Sequence, residues 1–211
     1  PLAASVMAAP AALVLAKIFI PEEEVSETAG YVKLKLEKTH SNIIEAAAAG
    51  AGEGLQLALN VGAMLLAFIA LIAMFNGMLG WATGLVGLEG ITLERLSGWC
   101  FAPIAFLIGI PWDDCVNFGT LLGKKIIINE FVAYLDLKSM IEAKSMSPRA
   151  ITMATYALCG FANFSSIAIQ VGGIGTIATE RRSGLAKLGM KCLAGGMMAG
   201  LMTASIAGIF I

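Results

Sequence analysis

A single carboxylate sits where an apolar run should be continuous. Ile126–Tyr134 carries Asn129 and Glu130 in its middle. An ionisable side chain at the centre of a membrane helix costs roughly 2.5–3.5 kcal/mol on insertion scales, so its presence needs a reason. Two readings are open from the residues. Glu130 is a ligand or proton site, or it is structural, paired with Lys124 or Lys125 or placed near the interface. A second polar cluster lies inside another apolar run, at Cys159-Gly160-Phe161-Ala162-Asn163-Phe164-Ser165-Ser166. Asn163, Ser165 and Ser166 offer donors and acceptors without charge, which suits a neutral hydroxylated solute better than a strongly ionic one. Interhelical bonding by buried polar side chains is the competing explanation. Phe161 would supply an apolar wall.

Other chemistries lack their parts. Cys100, Cys115, Cys159 and Cys192 are scattered without a C-x-x-C pair, so neither a zinc site nor a disulfide framework is indicated, and small apolar fillers are expected. His40 is the one histidine and lies in a polar stretch, as a solvated loop residue would. Gly173–Ala178 matches the dinucleotide fingerprint G-x-G-x-x-A, but it trails an apolar run with no strand before it. It is expected to be a flexible span end. Gln56, Asn60 and Asn76 flank or enter an apolar run, where packing or helix-end roles are the default.

The elements that must position these residues follow from composition. The 211 residues are 58% apolar and 14% charged, with a net charge of −1 and mean hydropathy of +0.82. Soluble domains carry roughly a quarter charged residues. The stretches 54–88, 150–179 and 192–211 carry no charge, and 96–112 is a shorter uncharged run. Uncharged apolar runs of about 18 residues or more are membrane spans. An ordinary soluble enzyme is excluded, and the weak net charge gives no support to nucleic-acid binding.

The expected architecture is an all-α membrane protein with transmembrane helices, a re-entrant helical hairpin and a broken helix. Leu2–Ile20 is a first span containing Pro10. Residues 21–53 are polar, with an alanine-rich surface helix over Asn42–Ala51. Gly54–Phe75 would reach about 33 Å, enough for a ~30 Å hydrocarbon core, and a glycine-rich connection, Asn76–Glu89, follows. Leu96–Trp112 and Cys115–Gly123 are each too short to span comfortably. Separated by Asp113 and Asp114, they form a re-entrant hairpin, which membranes tolerate where it packs on protein or lines a cavity. With Ile126–Tyr134 this gives a unit over 93–136. A polar stretch, Asp136–Arg149, leads to the span at 148–178, whose Gly-Asn-Ser centre is a place for a helix to break and offer backbone groups to a solute. The last span, 184–211, sets Gly196, Gly200, Ala204 and Gly208 on one face for close packing. Lys and Arg concentrate in 17–38 and 181–191, placing those stretches in the cytoplasm and the C-terminus outside. The chain begins at Pro1 without a basic leader, so more sequence is expected upstream.

The strings Ala3–Pro10 (AASVMAAP), Gly54–Met64 (GLQLALNVGAM), Asn129–Tyr134 (NEFVAY) and Ala157–Ser166 (ALCGFANFSS) together resemble the concentrative nucleoside transporter family. They run in family order, over the C-terminal half of such a protein. The resemblance implies that residues 1–20 are the closing helix of a first inverted repeat. Residues 21–53 are then a cytoplasmic segment, 54–92 a scaffold helix at a homotrimer interface with its outer connection, and 93–211 a whole second repeat. It implies that Glu130, Asn163 and Ser166 bond ribose hydroxyls and that Phe161 lines the pocket, which decides the reading of Glu130 in favour of a site. The family's Gln-Thr-Glu run, which reads the nucleobase, does not occur here. The sodium ligands of sodium-coupled members lie in the first hairpin and the helix after it, so no metal ligand is expected in this chain. The implied function is sodium- or proton-coupled nucleoside symport, multi-pass in a bacterial inner membrane, without enzymatic chemistry or a cofactor. A pore lined by the same polar break is the alternative. A membrane enzyme joining Glu130 to Asp113 or Asp114 is a weaker rival without a nucleophile.

Overall fold

A computed structural model of the chain describes residues 2–23, 41–85, 87, 90–177 and 179–211. His40 and most of the polar stretch around it lie outside these residues. The described chain is all helical: α1 (Leu2–Phe19), α2 (Ile43–Gly84), α3 (Leu93–Leu107), α4 (Cys115–Ile127), α5 (Glu130–Glu142), α6 (Pro148–Leu158), α7 (Phe164–Ile177) and α8 (Arg182–Ile209). By length and composition, α1 and α8 are long and apolar enough, among the described residues, to cross a membrane.

The hairpin forms from α3 and α4. Both are short, and they press together because glycine lines their seam. A Cβ on Gly119 would collide with the Gly98 carbonyl, and one on Gly123 would collide with Ser97 Oγ. Apolar solvent gives helices no reason to associate, so this backbone proximity and its dispersion contacts hold the pair. The turn between them is not loose. Ser147 donates its hydroxyl to Asp114 Oδ2 at 2.6 Å while its backbone N–H faces the same carboxylate, and Asn117 Nδ2 donates to the Ser145 carbonyl at 3.0 Å. Arg149 donates to the carbonyls of Gly109 and Ile211. The hairpin tip is thereby fastened to the α5–α6 turn and to the end of α8.

A core of Ala105, Phe118, Leu121, Leu122, Ala133, Met153 and Leu158 lies among α3–α6, closed by Ala204 of α8. The face of small residues on α8 packs as its spacing predicts. Ala204 is fully buried, and a Cβ on Gly208 would meet Met153 of α6 at 2.9 Å. On another side of α8, Ala199 meets Ala11 and Leu15 of α1.

Three stretches differ from the sequence reading. The surface helix at 42–51, the span at 54–75 and much of the following connection are one helix, α2, of 42 residues. Its glycines are each followed by residues that accept helix, and no proline interrupts them. It starts at Asn42, whose side chain accepts from Glu45 N–H, the standard first-turn cap. At 1.5 Å per residue it runs about 63 Å, roughly twice a bilayer core. The polar stretch after Asp136 is helical to Glu142, as the second half of α5. Finally, the described part of the Gly173–Ala178 match continues α7 to Ile177 rather than loosening. Asn76 takes the helix-end role expected of it. From α2 it accepts from Leu93 N–H at 2.8 Å and donates to Glu94 at 2.9 Å, capping α3. The side chain of Asn60 lies outside the described residues.

Candidate functional site

The helical path is interrupted twice near Glu130. The first interruption is short. The β-branched run Ile126-Ile127-Ile128 propagates helix poorly, and Asn129 competes for the backbone. Ile128 leaves α-geometry (φ −103, ψ −87), and Asn129 is extended and accepts from Val132 N–H at 2.9 Å. Glu130 is therefore the first residue of α5, half-buried, rather than a residue inside a continuous span. A carboxylate there lies in the favourable field of a helix N-terminus.

The second interruption separates α6 from α7 at Cys159–Asn163. Gly160 has φ +125, a conformation that side-chain-bearing residues rarely adopt, and this fixes where the helix can break. Asn163 then starts α7. Its Oδ1 accepts from Ser166 N–H at 2.7 Å and from Ser165 Oγ at 2.8 Å. The Ser166 hydroxyl donates to the Asn163 carbonyl at 2.7 Å. Asn163 and Ser166 are 1% and 5% exposed.

The two breaks meet. With Oδ1 occupied by the cap, the Asn163 amide turns Nδ2 outward, and Nδ2 donates to Glu130 Oε2 at 3.4 Å. Glu130, Asn163 and Ser166, chosen from sequence 33 and 36 positions apart, thus fall in one cluster. Phe161 lies in the break itself with 73% of its surface exposed. Neither Lys124 nor Lys125 forms an ion pair or hydrogen bond with Glu130 among the described residues. Lys124 pairs instead with Asp136, and Lys125 donates to the Ala157 carbonyl at 2.8 Å. Asp113 and Asp114 lie at the other end of α4, whose 13 residues span about 20 Å. Asp114 is buried on Ser147, so the carboxylates do not converge as an enzyme would need. No group of three or more metal-ligating side chains occurs among the described residues.

Sequence reasoning missed two contributors. Asn129 was legible as a cap, being a helix-starting residue type just before an acidic first turn. Tyr134 donates its hydroxyl to the Thr155 carbonyl at 2.8 Å, tying α5 to α6 one turn past Glu130, and nothing in its spacing reveals this. Chemically, the cluster offers one carboxylate, one amide and hydroxyls held by helix ends. It can accept and donate hydrogen bonds to a polyhydroxylated solute, and it holds no nucleophile poised beside a base.

Comparison with known proteins bears on what such a cluster serves. Residues 2–208 match the family described as Na+ dependent nucleoside transporter C-terminus. The uncharacterized transporter YutK of Bacillus subtilis is 53% identical over the whole chain, and the nucleoside permease NupC of Helicobacter pylori is 41% identical. The matches cover 52% and 50% of those proteins, so the chain spans about half the length of these curated relatives. Among solved structures, a CNTnw variant in an outward-facing state has a TM-score of 0.89 at 43% identity, covering 99% of this chain and 50% of that one. CNTnw in an inward-facing substrate-bound state gives 0.86 at 43%, covering 99% and 49%. The all-α fold with its re-entrant hairpin is common to them. The chain belongs to the Na+-dependent, or concentrative, nucleoside transporter family and corresponds to its C-terminal region.

Proposed function

We propose that this chain is the ribose-binding portion of an ion-coupled nucleoside symporter. The observation that carries this reading is the meeting of Glu130 and Asn163 at two helix breaks, with Ser166 beside them. A ribose presents vicinal hydroxyls, and a carboxylate can accept from both while an amide N–H donates to one. Phe161, exposed at the break, forms the apolar wall of the same site. The nucleobase is read by residues outside this chain, and the coupling ion, sodium or a proton, is held there too. Relatives named as sodium/nucleoside cotransporter and nucleoside permease support the transport reading.

On this reading residues 93–211 form one mobile repeat that carries the nucleoside in alternating access, and α1 closes the other repeat. Helix α2 is a scaffold at a trimer interface in a bacterial inner membrane. Leu55, Leu59 and Leu66 of α2 are each more than 60% exposed, and among the described residues α2 bonds α3 through Asn76, as a scaffold arm would.

The test is uptake of radiolabelled uridine into proteoliposomes holding the full-length parent. Accumulation above equilibrium is expected under an inward sodium gradient or an acid-outside pH gradient, and which gradient works identifies the ion. Uptake that only reaches equilibrium under both gradients would overturn the symport reading. No uptake from folded protein under either gradient would overturn the nucleoside reading.

A further inference from the structure

Lys125, in the last turn of α4, is fully buried, with 0% of its surface exposed. Its Nζ donates to the Ala157 carbonyl at 2.8 Å. Ala157 is the penultimate residue of α6. The last carbonyls of a helix lose their partners, and the turn that would serve this one is missing because the chain leaves the helix at Cys159. The lysine therefore caps the broken helix from a neighbouring segment. The third component is Gly200 of α8. A Cβ there would stand 2.9 Å from the Ala157 carbonyl oxygen and 3.5 Å from Lys125 Nζ, so bare backbone is packed onto this bond.

The placement of the bond matters more than its existence. Lys125 lies five residues before Glu130, and Ala157 lies six residues before Asn163. Two cross-links thus join the same pair of segments: Lys125 Nζ to Ala157 O on one side of the breaks, and Asn163 Nδ2 to Glu130 Oε2 on the other. Only Ile126–Asn129 separates one pair of anchors, and only Leu158–Ala162 the other. Moving the first link shifts the second. A buried ammonium is costly in an apolar interior, and a methionine would fill the same volume without that cost.

We infer that Lys125 is a positioning residue for the sugar site: by holding the α6 end against α4 it sets the distance between Glu130 and Asn163, and so the selectivity for ribose hydroxyls. This deepens the ribose reading above and rests on it. Lys125 itself touches no substrate in this account.

The experiment uses the full-length parent in proteoliposomes, with rates divided by the amount of folded transporter. Uridine and 2′,3′-dideoxyuridine, which lacks the sugar hydroxyls, are compared in the parent, Lys125→Met, Lys125→Gln, Gly200→Ala and Glu130→Gln. Lys125→Met is expected to raise the uridine KM about 10-fold while the maximal rate per folded transporter changes less than about 3-fold, and to collapse the preference for uridine over the dideoxy compound. Gly200→Ala keeps the lysine but pushes its acceptor, and is expected to move KM the same way by about 3-fold. Lys125→Gln retains N–H donors and should fall between Met and the parent. Should Lys125→Met not fold, Gly200→Ala and Lys125→Gln decide by the same preference ratio. A ratio equal to the parent's in these variants, with loss only of folded protein or thermal stability, would overturn the inference and leave the ribose reading standing. A parent that does not distinguish the two nucleosides, with Glu130→Gln unaffected, would remove the ribose reading and the inference with it.

Discussion

Two asparagines start two helices on facing segments, and the fold uses them differently. Asn129 lies in a two-residue interruption, Ile128–Asn129, and caps α5 by accepting from Val132 N–H. Asn163 lies at the end of a five-residue break and does three things. Its Oδ1 accepts from Ser166 N–H and Ser165 Oγ, its backbone N–H and C=O both bond the Ser166 hydroxyl, and its Nδ2 donates to Glu130. The difference shows how a helix cap becomes a binding group. Capping consumes only the oxygen half of an amide, and it also fixes which way the other half points. At Asn163 the Ser166 N–H decides the orientation, so the donor half must face the carboxylate that begins α5. The position capped by Asn129 instead presents its neighbour, Glu130, as the functional group. One break supplies the charge and the other the neutral donor.

The largest expected effect tests the charged side. Glu130→Gln keeps the shape but replaces an ionised acceptor, and hydrogen bonds to charged groups are worth about 1.5–3 kcal/mol each. With two ribose hydroxyls as partners, uridine uptake per folded transporter at low substrate should fall about 100-fold or more in the full-length parent. Membrane insertion should be unaffected, as read by protein level and thermal stability. Unchanged uptake would show that the carboxylate is structural and that the two breaks do not divide the work in this way.

Asn163→Ala removes both functions of the amide at once. Loss of an N-cap costs about 0.5–2 kcal/mol, and loss of the donor should raise nucleoside KM about 10-fold. Uptake of a free base should be affected less, because its proposed partner is the sugar. Asn163→Asp separates the two roles. The carboxylate still caps α7 but places a second negative group against Glu130, so thermal stability should stay closer to the parent's than in Asn163→Ala while nucleoside selectivity is lost. Competition of uridine uptake by uridine and by uracil reads both outcomes. Equal loss for nucleoside and base would detach Asn163 from ribose.

These contrasts also show what a sequence can disclose. The hairpin was legible because Pro103, Gly109, Pro111 and the aspartates cut an apolar run into pieces too short to span. The break in the second run was legible because glycine, asparagine and two serines in an apolar setting have few other uses. Glu130, Asn163 and Ser166 were legible as polar residues at odds with their surroundings. What stayed hidden was everything set by juxtaposition. Whether Lys124 or Lys125 answers Glu130 depends on which face of α4 meets α6, and a 3.6-residue period sends adjacent lysines about 100° apart. One therefore reaches Asp136 and the other the α6 end. The length of α2 was hidden for another reason. Glycine and alanine next to glutamate look like a boundary in composition, yet nothing in the backbone stops the helix there.

The smallest effect concerns Asn129, and it is the one that discriminates most sharply between the two caps. If its role is to start α5 and thereby aim Glu130, then any residue that accepts from Val132 N–H should serve. Asn129→Ser is expected to match the parent within about 0.5 kcal/mol of stability and about 2-fold in uridine KM, since serine and asparagine cap almost equally well. Asn129→Ala should cost about 1 kcal/mol and raise KM about 3- to 5-fold, because α5 frays at the residue that carries the carboxylate. The corresponding pair at Asn163 should behave otherwise. Asn163→Ser restores the cap but is too short to bring a donor to Glu130, so stability should recover while the KM remains raised. Thermal melts and uptake titrations on the four variants together give the answer. If serine rescues transport at both positions, the amide donor of Asn163 has no role in binding, and the two breaks are equivalent devices for bending the chain.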